Sequence, residues 1–213
     1  MKHEIIKRLQ EMSGEYSVYS LFDDWVSMYA ISLSQQVVYN RKREETFLKI
    51  AGKHEGKRYK GFCDLSGMLV MAAEEKMEDV LGYIYMHLEL GSSRTGQFFT
   101  PYHICQMLAD VTDGKEDKGL YRVEEPSCGA GGNIIAFAES LKKKGVNYQE
   151  KMLATCTDID VRAVYMCYLQ CSLYGIPAEV RQQDTLADPQ GKHSSTGSLY
   201  TPGYVLLKSK KTT

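Results

Sequence analysis

The sequence predicts a mixed α/β fold, with a helical N-terminal domain over residues 1–95 and a sheet-forming domain over residues 96–213. Two observations carry this expectation. Up to about residue 95, apolar residues recur at helical spacing, and no strand-like alternation of any length occurs. From residue 120, short apolar runs alternate with helical ones in the order strand–helix–strand–helix–strand. That is the pattern of parallel strands joined by crossover helices.

In the front, Ile5, Ile6 and Leu9 open the helical pattern. Leu21, Trp25, Met28, Tyr29 and Ser32 repeat it, with Asp23 and Asp24 early, where acids suit the helix dipole. A charged stretch over residues 41–45 leads into Phe47, Leu48 and Ile50; residues 53–60 read as a polar loop, and residues 65–77 and 80–90 resume the period. Residues 92–96 form a turn-rich link. A helix follows, with Thr100 as its N-cap and Pro101 as its first residue, carrying Ile104, Met107, Leu108 and Val111.

Residues 120–125 predict a strand, and residues 133–144 a helix with Ile134, Ile135, Phe137, Ala138 and Leu141 inward. Three lysines in its last turn and Gly145 suit the negative helix end and a left-handed cap. Residues 152–157 predict a second strand, residues 161–174 a helix stopped by Gly175 and Pro177, and residues 179–182 a third strand. Residues 204–207 read as one further strand, and helices are expected on both faces of the sheet.

The chain has 213 residues, 43% of them hydrophobic and 25% charged, which is enough apolar material for a soluble protein with a real core. Its 26 basic and 27 acidic residues give a net charge of −1. A chain that grips DNA unaided carries a basic surplus, so DNA contact by this one is expected to be weak, local or shared with a partner. No run of eighteen apolar residues and no signal-peptide core occurs, so the expected location is the cytoplasm, away from any membrane. The six cysteines, at 63, 105, 128, 156, 167 and 171, include no Cys-x-x-Cys pair. Cys167 and Cys171 stand one helical turn apart, but no histidine lies nearby in sequence. Free thiols and no metal are the expectation.

The sharpest chemical feature is Glu125-Pro126-Ser127-Cys128-Gly129-Ala130-Gly131-Gly132-Asn133, between a strand and a helix. Three glycines there let backbone pass close to a ligand, and the helix N-terminus offers unpaired amides to it. A tight strand-to-helix turn without ligand is the plainer reading. A nicotinamide dinucleotide fits poorly, because its fingerprint needs glycine three after Gly131 and residue 134 is Ile. Asp158 falls at the end of the second strand, where a carboxylate can accept both hydroxyls of a ribose; Asp184 falls just after the third, where one can accept an adenine amine. Either alone is ordinarily a solvated loop acid, but at successive strand ends beside the Gly loop they form a nucleoside site. Asp160 reads as the N-cap of the next helix.

Taken in order, Gln97-Phe98-Phe99-Thr100-Pro101, the Gly loop, Thr157-Asp158-Ile159-Asp160 and Gln183-Asp184-Thr185-Leu186 resemble the N6-adenine-specific DNA methylases. The likeness is strongest to the modification subunit of type I restriction-modification systems and its relatives on mobile elements. It spans about residues 79–186 and, more loosely, the helical front, where residues 21–25 (Leu-Phe-Asp-Asp-Trp) look familiar. The resemblance implies a Rossmann-like S-adenosylmethionine-dependent methyltransferase sheet, incomplete at its C-terminal end. It also implies S-adenosyl-L-methionine as cofactor, with Phe99, Thr100 and Pro101 on the methionine part, Asp158 on the ribose and Asp184 on the adenine. Glu125, Ser127, Cys128, Gly129, Gly131 and Gly132 in the loop, with Ile159 and Thr185 beside the two acids, complete the implied cofactor-binding set.

The family's catalytic element, Asn/Asp-Pro-Pro followed by an aromatic residue, does not occur in these residues. The five prolines stand at 101, 126, 177, 189 and 202, and no two are adjacent. No catalytic residue is therefore assigned. Methyl transfer is expected to need another chain or segment, and the alternative is a catalytically inactive cofactor-binding or assembly module. The expected partners are DNA, through a partner chain, and a specificity subunit or complementary methylase chain. An open sheet edge also invites a homodimer.

Overall fold

The computed structural model describes residues 1–54, 56–89, 99–112, 116–117, 119–188 and 197–210. The expected link at 92–96, Leu90, Gln97, Phe98 and residues 189–196 lie outside them. The helical front comprises α1 (Lys2–Met12), α2 (Val18–Gln35), α3 (Arg41–Ala51), α4 (Lys57–Glu75) and α5 (Val80–Glu89). Side chains cap three of these starts: Ser17 Oγ accepts from Ser20 N at 3.1 Å, Asn40 Oδ1 from Arg43 N at 3.1 Å, and Asp79 Oδ1 from Gly82 N at 2.8 Å. Residues 57–60, expected as loop, instead form the first turn of α4, which opens behind Gly56 at φ 60°.

Then follow α6 (Tyr102–Val111), β1 (Glu116–Asp117), β2 (Leu120–Glu125), α7 (Gly132–Lys143), α8 (Tyr148–Lys151), β3 (Met152–Asp158), α9 (Val161–Leu173), β4 (Ala178–Gln182), β5 (Ser198–Tyr200) and α10 (Pro202–Ser209). The sheet order is β1-β2-β3-β4-β5. Its centre, β2-β3-β4, is parallel and joined through α7 and α9, while the short outer strands β1 and β5 pair antiparallel. This is a Rossmann-like α/β arrangement behind a helical front. Among the described residues, no helix is long and apolar enough to cross a membrane.

Pairing register sorts the sheet's two faces. Val123, Ala154 and Ala178 lie on one face, as do Cys156, Val180 and Leu199. The other face carries Arg122, Glu124, Thr155, Glu179 and Arg181, of which Arg122 and Glu124 are exposed. Successive right-handed crossovers that advance in the same direction place α7 and α9 on one face. The crossover helices α7 and α9 therefore cover the apolar face, while α10 meets β4 with the Tyr204 ring 4.8 Å from Tyr200, which shares the charged face with Glu179; that face stays partly open. Helix α9 is buried from Ala163 to Cys171 because it lies between β3 and β4 on one side and α2, α4 and α5 on the other. One continuous apolar cluster consequently runs from Ile5 in α1 to Leu199 in β5.

Two further local expectations are corrected. The strand expected at 204–207 is part of α10, whose cap is Thr201 Oγ1 accepting from Tyr204 N at 3.2 Å, with Pro202 as first residue. That start signal overrides an apolar run too short to have a period of its own. Thr100 is not the cap of α6. Pro101 is, at φ −55° and ψ 136°, so the helix opens one residue later, with the Pro101 carbonyl accepting from Ile104 N and Cys105 N. On α6 it is the small residues Cys105 and Ala109 that are buried, on the helix packed against α7, while Met107, Leu108 and Val111 are exposed.

Candidate functional site

The Gly loop is built by backbone. Cys128 N donates to Thr157 O at 2.8 Å, tying the loop to β3, and Gly131 N donates to Cys128 O at 2.8 Å, closing its turn. Gly129 (φ 53°) and Gly131 (φ 97°) occupy the left-handed region, and both are close approaches as well. A Cβ on Gly129 would stand 3.0 Å from the Phe99 ring, and one on Gly131 would stand 3.2 Å from Cys167 Sγ. Gly131 caps α7 without a side-chain bond, leaving the first amides of that helix available at the site. Behind the loop, Glu125 accepts from Ser127 N at 3.3 Å and from Asn133 Nδ2 at 3.0 Å, so it braces both ends.

Asp158 closes the loop from the end of β3. Its Oδ2 accepts from Gly129 N at 2.8 Å and its Oδ1 from Asp160 N at 3.0 Å, with 7% of the residue exposed. Asp160 in turn caps α9 by accepting from Arg162 N at 2.9 Å. The segment after β4 joins the same edge: Gln183 N donates to Asp158 O at 2.9 Å, and the Thr185 hydroxyl donates to Pro126 O at 3.2 Å.

A cavity of about 350 Å³ opens here, within the ~300–1,000 Å³ usual for small-molecule sites. Seven of the sequence-predicted residues meet on its wall: Phe99, Thr100, Ser127, Cys128, Gly129, Gly132 and Asp158. The other six do not line it. Pro101 lines a neighbouring cavity, Glu125 braces the loop from behind, Gly131 backs onto Cys167, and Thr185 is held at the rim. Ile159 is 65% exposed. Asp184 is also exposed and caps its own turn, accepting from Leu186 N and Ala187 N at 3.0 Å each.

Sequence reasoning missed Asp79, Cys105, Ala130 and Asn133 on the same wall. Asp79 is 6% exposed and stands before α5, where its Oδ1 accepts the capping bond from Gly82 N at 2.8 Å. The signal available in sequence was an Asp directly before an apolar helical run. Behind it, Gln170 of α9 is satisfied on every side: Oε1 accepts from Leu81 N at 3.1 Å, and Nε2 donates to Asp79 Oδ1 at 2.7 Å and Ala130 O at 2.8 Å. One side chain thus joins the helical front to the Gly loop.

Burial pushes the Asp79 carboxyl above its ordinary value, against the hydrogen bonds from Gln170 and Gly82. Burial also pushes the Cys105 thiol up to about 11. Cys128 receives a hydrogen bond from Cys167 that favours its thiolate, yet burial and the Asp158 charge raise it overall. These thiols are protonated at neutral pH and serve as packing. Cys167 and Cys171 lie 3.9 Å apart, and among the described residues no three His, Cys, Asp or Glu side chains are arranged to hold a metal.

A parallel β-α-β-α-β core, with a Gly loop after its first parallel strand and an acid at the end of the next, has the layout of the doubly wound α/β folds. The N-6 DNA Methylase family model matches residues 73–204, more than half of the chain. This chain belongs to that family. It is 26% identical, over 120 residues, to the type I restriction enzyme MjaIX methylase subunit of Methanocaldococcus jannaschii, a match covering 54% of this chain and 21% of that relative. The chain therefore spans about a fifth of that relative's length. Among solved structures it is similar to the type I restriction-modification system methyltransferase subunit of Streptococcus thermophilus, with 16% identity and a TM-score of 0.45 over 92% of this chain and 42% of that one. A protein of Listeria monocytogenes described as a class I S-adenosylmethionine-dependent methyltransferase is similar at 15% identity and a TM-score of 0.44, over 83% of this chain and 51% of that one.

Proposed function

We propose that this chain is the S-adenosyl-L-methionine-binding part of an adenine-specific DNA methylase. The observation that carries the reading is the cavity itself, walled by the Gly loop and Phe99 and floored by the buried Asp158 carboxylate. The residues suit the cofactor. The lining includes two acids and no Lys, Arg or His, which favours a ligand of net positive charge such as a sulfonium carrying an ammonium and a carboxylate. Asp158 is the ribose acceptor in this reading, Phe99, Thr100 and Pro101 face the methionine part, and Asp184 with Thr185 and Ile159 borders the adenine. Glu125, Ser127, Cys128, Gly129, Gly131 and Gly132 shape the loop. Bound there, the cofactor supplies an electrophilic methyl group; the chain's own residues bind and orient it. Residues 1–95 act as a helical domain that braces this site through Gln170 and Asp79, and residues 96–213 as the binding domain.

Methyl transfer to DNA requires a second chain or segment carrying the Asn/Asp-Pro-Pro-aromatic element, which is also the route to DNA and to a specificity subunit. The exposed apolar residues Met107, Leu108 and Val111 on α6 and the partly open charged sheet face support such a partner. Titration calorimetry tests the binding claim: S-adenosylmethionine or S-adenosylhomocysteine binds with measurable heat. A folded protein giving none with either ligand at millimolar concentration refutes it.

A further inference from the structure

The cofactor reading leaves one buried group without a task. Asp79 is 94% buried, and both hydrogen bonds it accepts, from Gly82 N at 2.8 Å and Gln170 Nε2 at 2.7 Å, fall on Oδ1. Among the described residues, none donates a hydrogen bond to Oδ2. That oxygen would lie 3.3 Å from a Cβ on Gly132, on the wall of the cavity. The nearby cations are committed elsewhere: Lys2 Nζ pairs with Glu78 at 2.7 Å and Lys76 Nζ with the same carboxylate at 3.8 Å. The surroundings hold the carboxylate in one orientation. Gln170 fixes Oδ1 from behind, and position 82 must be glycine, because a Cβ there would collide with the carboxylate. A carboxylate buried at this level is ordinarily paired. This one is anchored through one oxygen and presents the other to the ligand space.

We propose that Asp79 Oδ2 is the receptor for the α-ammonium group of the cofactor's amino-acid end. It sits with Cys105 and Gly132 in the cavity that Asp158 also lines, so one acid takes the nucleoside and the other the amino acid. Gln170 is a positioning residue for it. The inference rests on the cofactor reading above and assigns an element of that site which the family resemblance did not supply.

The test uses titration calorimetry with two probes, S-adenosylhomocysteine and its deamino analogue, in which the α-amino group is replaced by hydrogen. The full chain should bind S-adenosylhomocysteine roughly 10- to 150-fold more tightly than the deamino probe, the range for a charge-assisted hydrogen bond. Asp79→Asn keeps an acceptor for Gly82 N and Gln170 Nε2. It should lose that factor for S-adenosylhomocysteine and leave the deamino probe unchanged. A variant that weakens both probes equally, or neither, overturns the proposal. Should the variant fail to fold, the native chain decides alone, because equal affinity for the two probes also overturns it. A folded native chain that binds neither probe overturns the cofactor reading itself, a result distinct from those above.

Discussion

Replacing Asp158 by alanine removes a carboxylate with two observed structural uses and a third in the proposed cofactor site. In the folded chain it accepts from Gly129 N at 2.8 Å and Asp160 N at 3.0 Å, so its loss leaves both amides without that acceptor and frees the loop from the end of β3. Hydrogen bonds to a charged acceptor contribute ~1.5–3 kcal/mol each, and relief of the carboxylate's own desolvation offsets part of that, for a net loss of about 2–4 kcal/mol. A chain of this size melts about 2–4 °C lower per kcal/mol, so the expected drop in Tm is about 4–16 °C. In the proposed cofactor site the carboxylate also accepts the ribose, and losing those hydrogen bonds should weaken S-adenosylmethionine by about 1–3 kcal/mol, or roughly 5- to 150-fold. Scanning calorimetry of the free variant gives the first quantity. Titration calorimetry well below its Tm gives the second. Asp158→Asn, which keeps one acceptor, should fall between parent and alanine variant in both. A variant that melts with the parent refutes the structural half of the reasoning. One that is destabilised but binds with unchanged affinity moves the ribose role to Asp160.

Gly129→Ala places a Cβ 3.0 Å from the Phe99 ring at a φ of 53°; it should cost about 1–2 kcal/mol of stability and abolish cofactor binding by closing the gap between loop and ring, so unchanged affinity would show that the ligand lies elsewhere. DNA binding by the chain alone should be weak and salt-sensitive, given its net charge of −1; sequence-specific nanomolar binding at physiological salt, read by fluorescence anisotropy, would contradict this. The chain alone should transfer no methyl group from tritiated cofactor to adenine in DNA, because an amine lone pair delocalised into the ring needs oriented acceptors and a stacking aromatic that these residues lack. Incorporation above a heat-killed control would show a surrogate site, and incorporation only on adding a chain with the Pro-Pro element would favour a split enzyme.

The parts of the site legible in the sequence are those where local chemistry and function coincide. Glycine at 129 and 131 announces a backbone conformation, and Asp158 announces a strand end, so each carries its meaning within a few residues. Asp79 and Gln170 are different. They are 91 positions apart in the chain and meet at 2.7 Å through tertiary packing alone. Within its own segment Asp79 reads as a helix cap, and Gln170 reads as one more residue of a helix. Both readings are true and neither shows the contact. Pattern failed differently at α6. Ile104, Met107, Leu108 and Val111 form an apolar stripe, yet the surface against α7 demands small residues, and Cys105 and Ala109 meet it. Periodicity located the helix without fixing which side is buried.

The anchored Asp79 carries a stability cost that can be measured without any ligand. Burial raises its carboxyl above the ordinary value, so the folded chain holds that proton more tightly than the unfolded chain does. The folded state is then favoured most below the ordinary aspartate value of about 3.9. That contribution is lost as pH rises through the raised value, where the buried carboxylate must ionise. Asp79→Asn has no such titration, and its bonds from Gly82 N and Gln170 Nε2 can persist on the amide oxygen. At neutral pH the variant should exceed the parent by on the order of 0.5–2 kcal/mol, the usual size of a single stabilising substitution. The two should converge in acid. Denaturant melts across pH 3–8 measure the difference directly. A difference that is independent of pH, or that favours the parent more as pH rises, would mean that the folded protein already neutralises Asp79. In that case no ligand ammonium is needed to account for it.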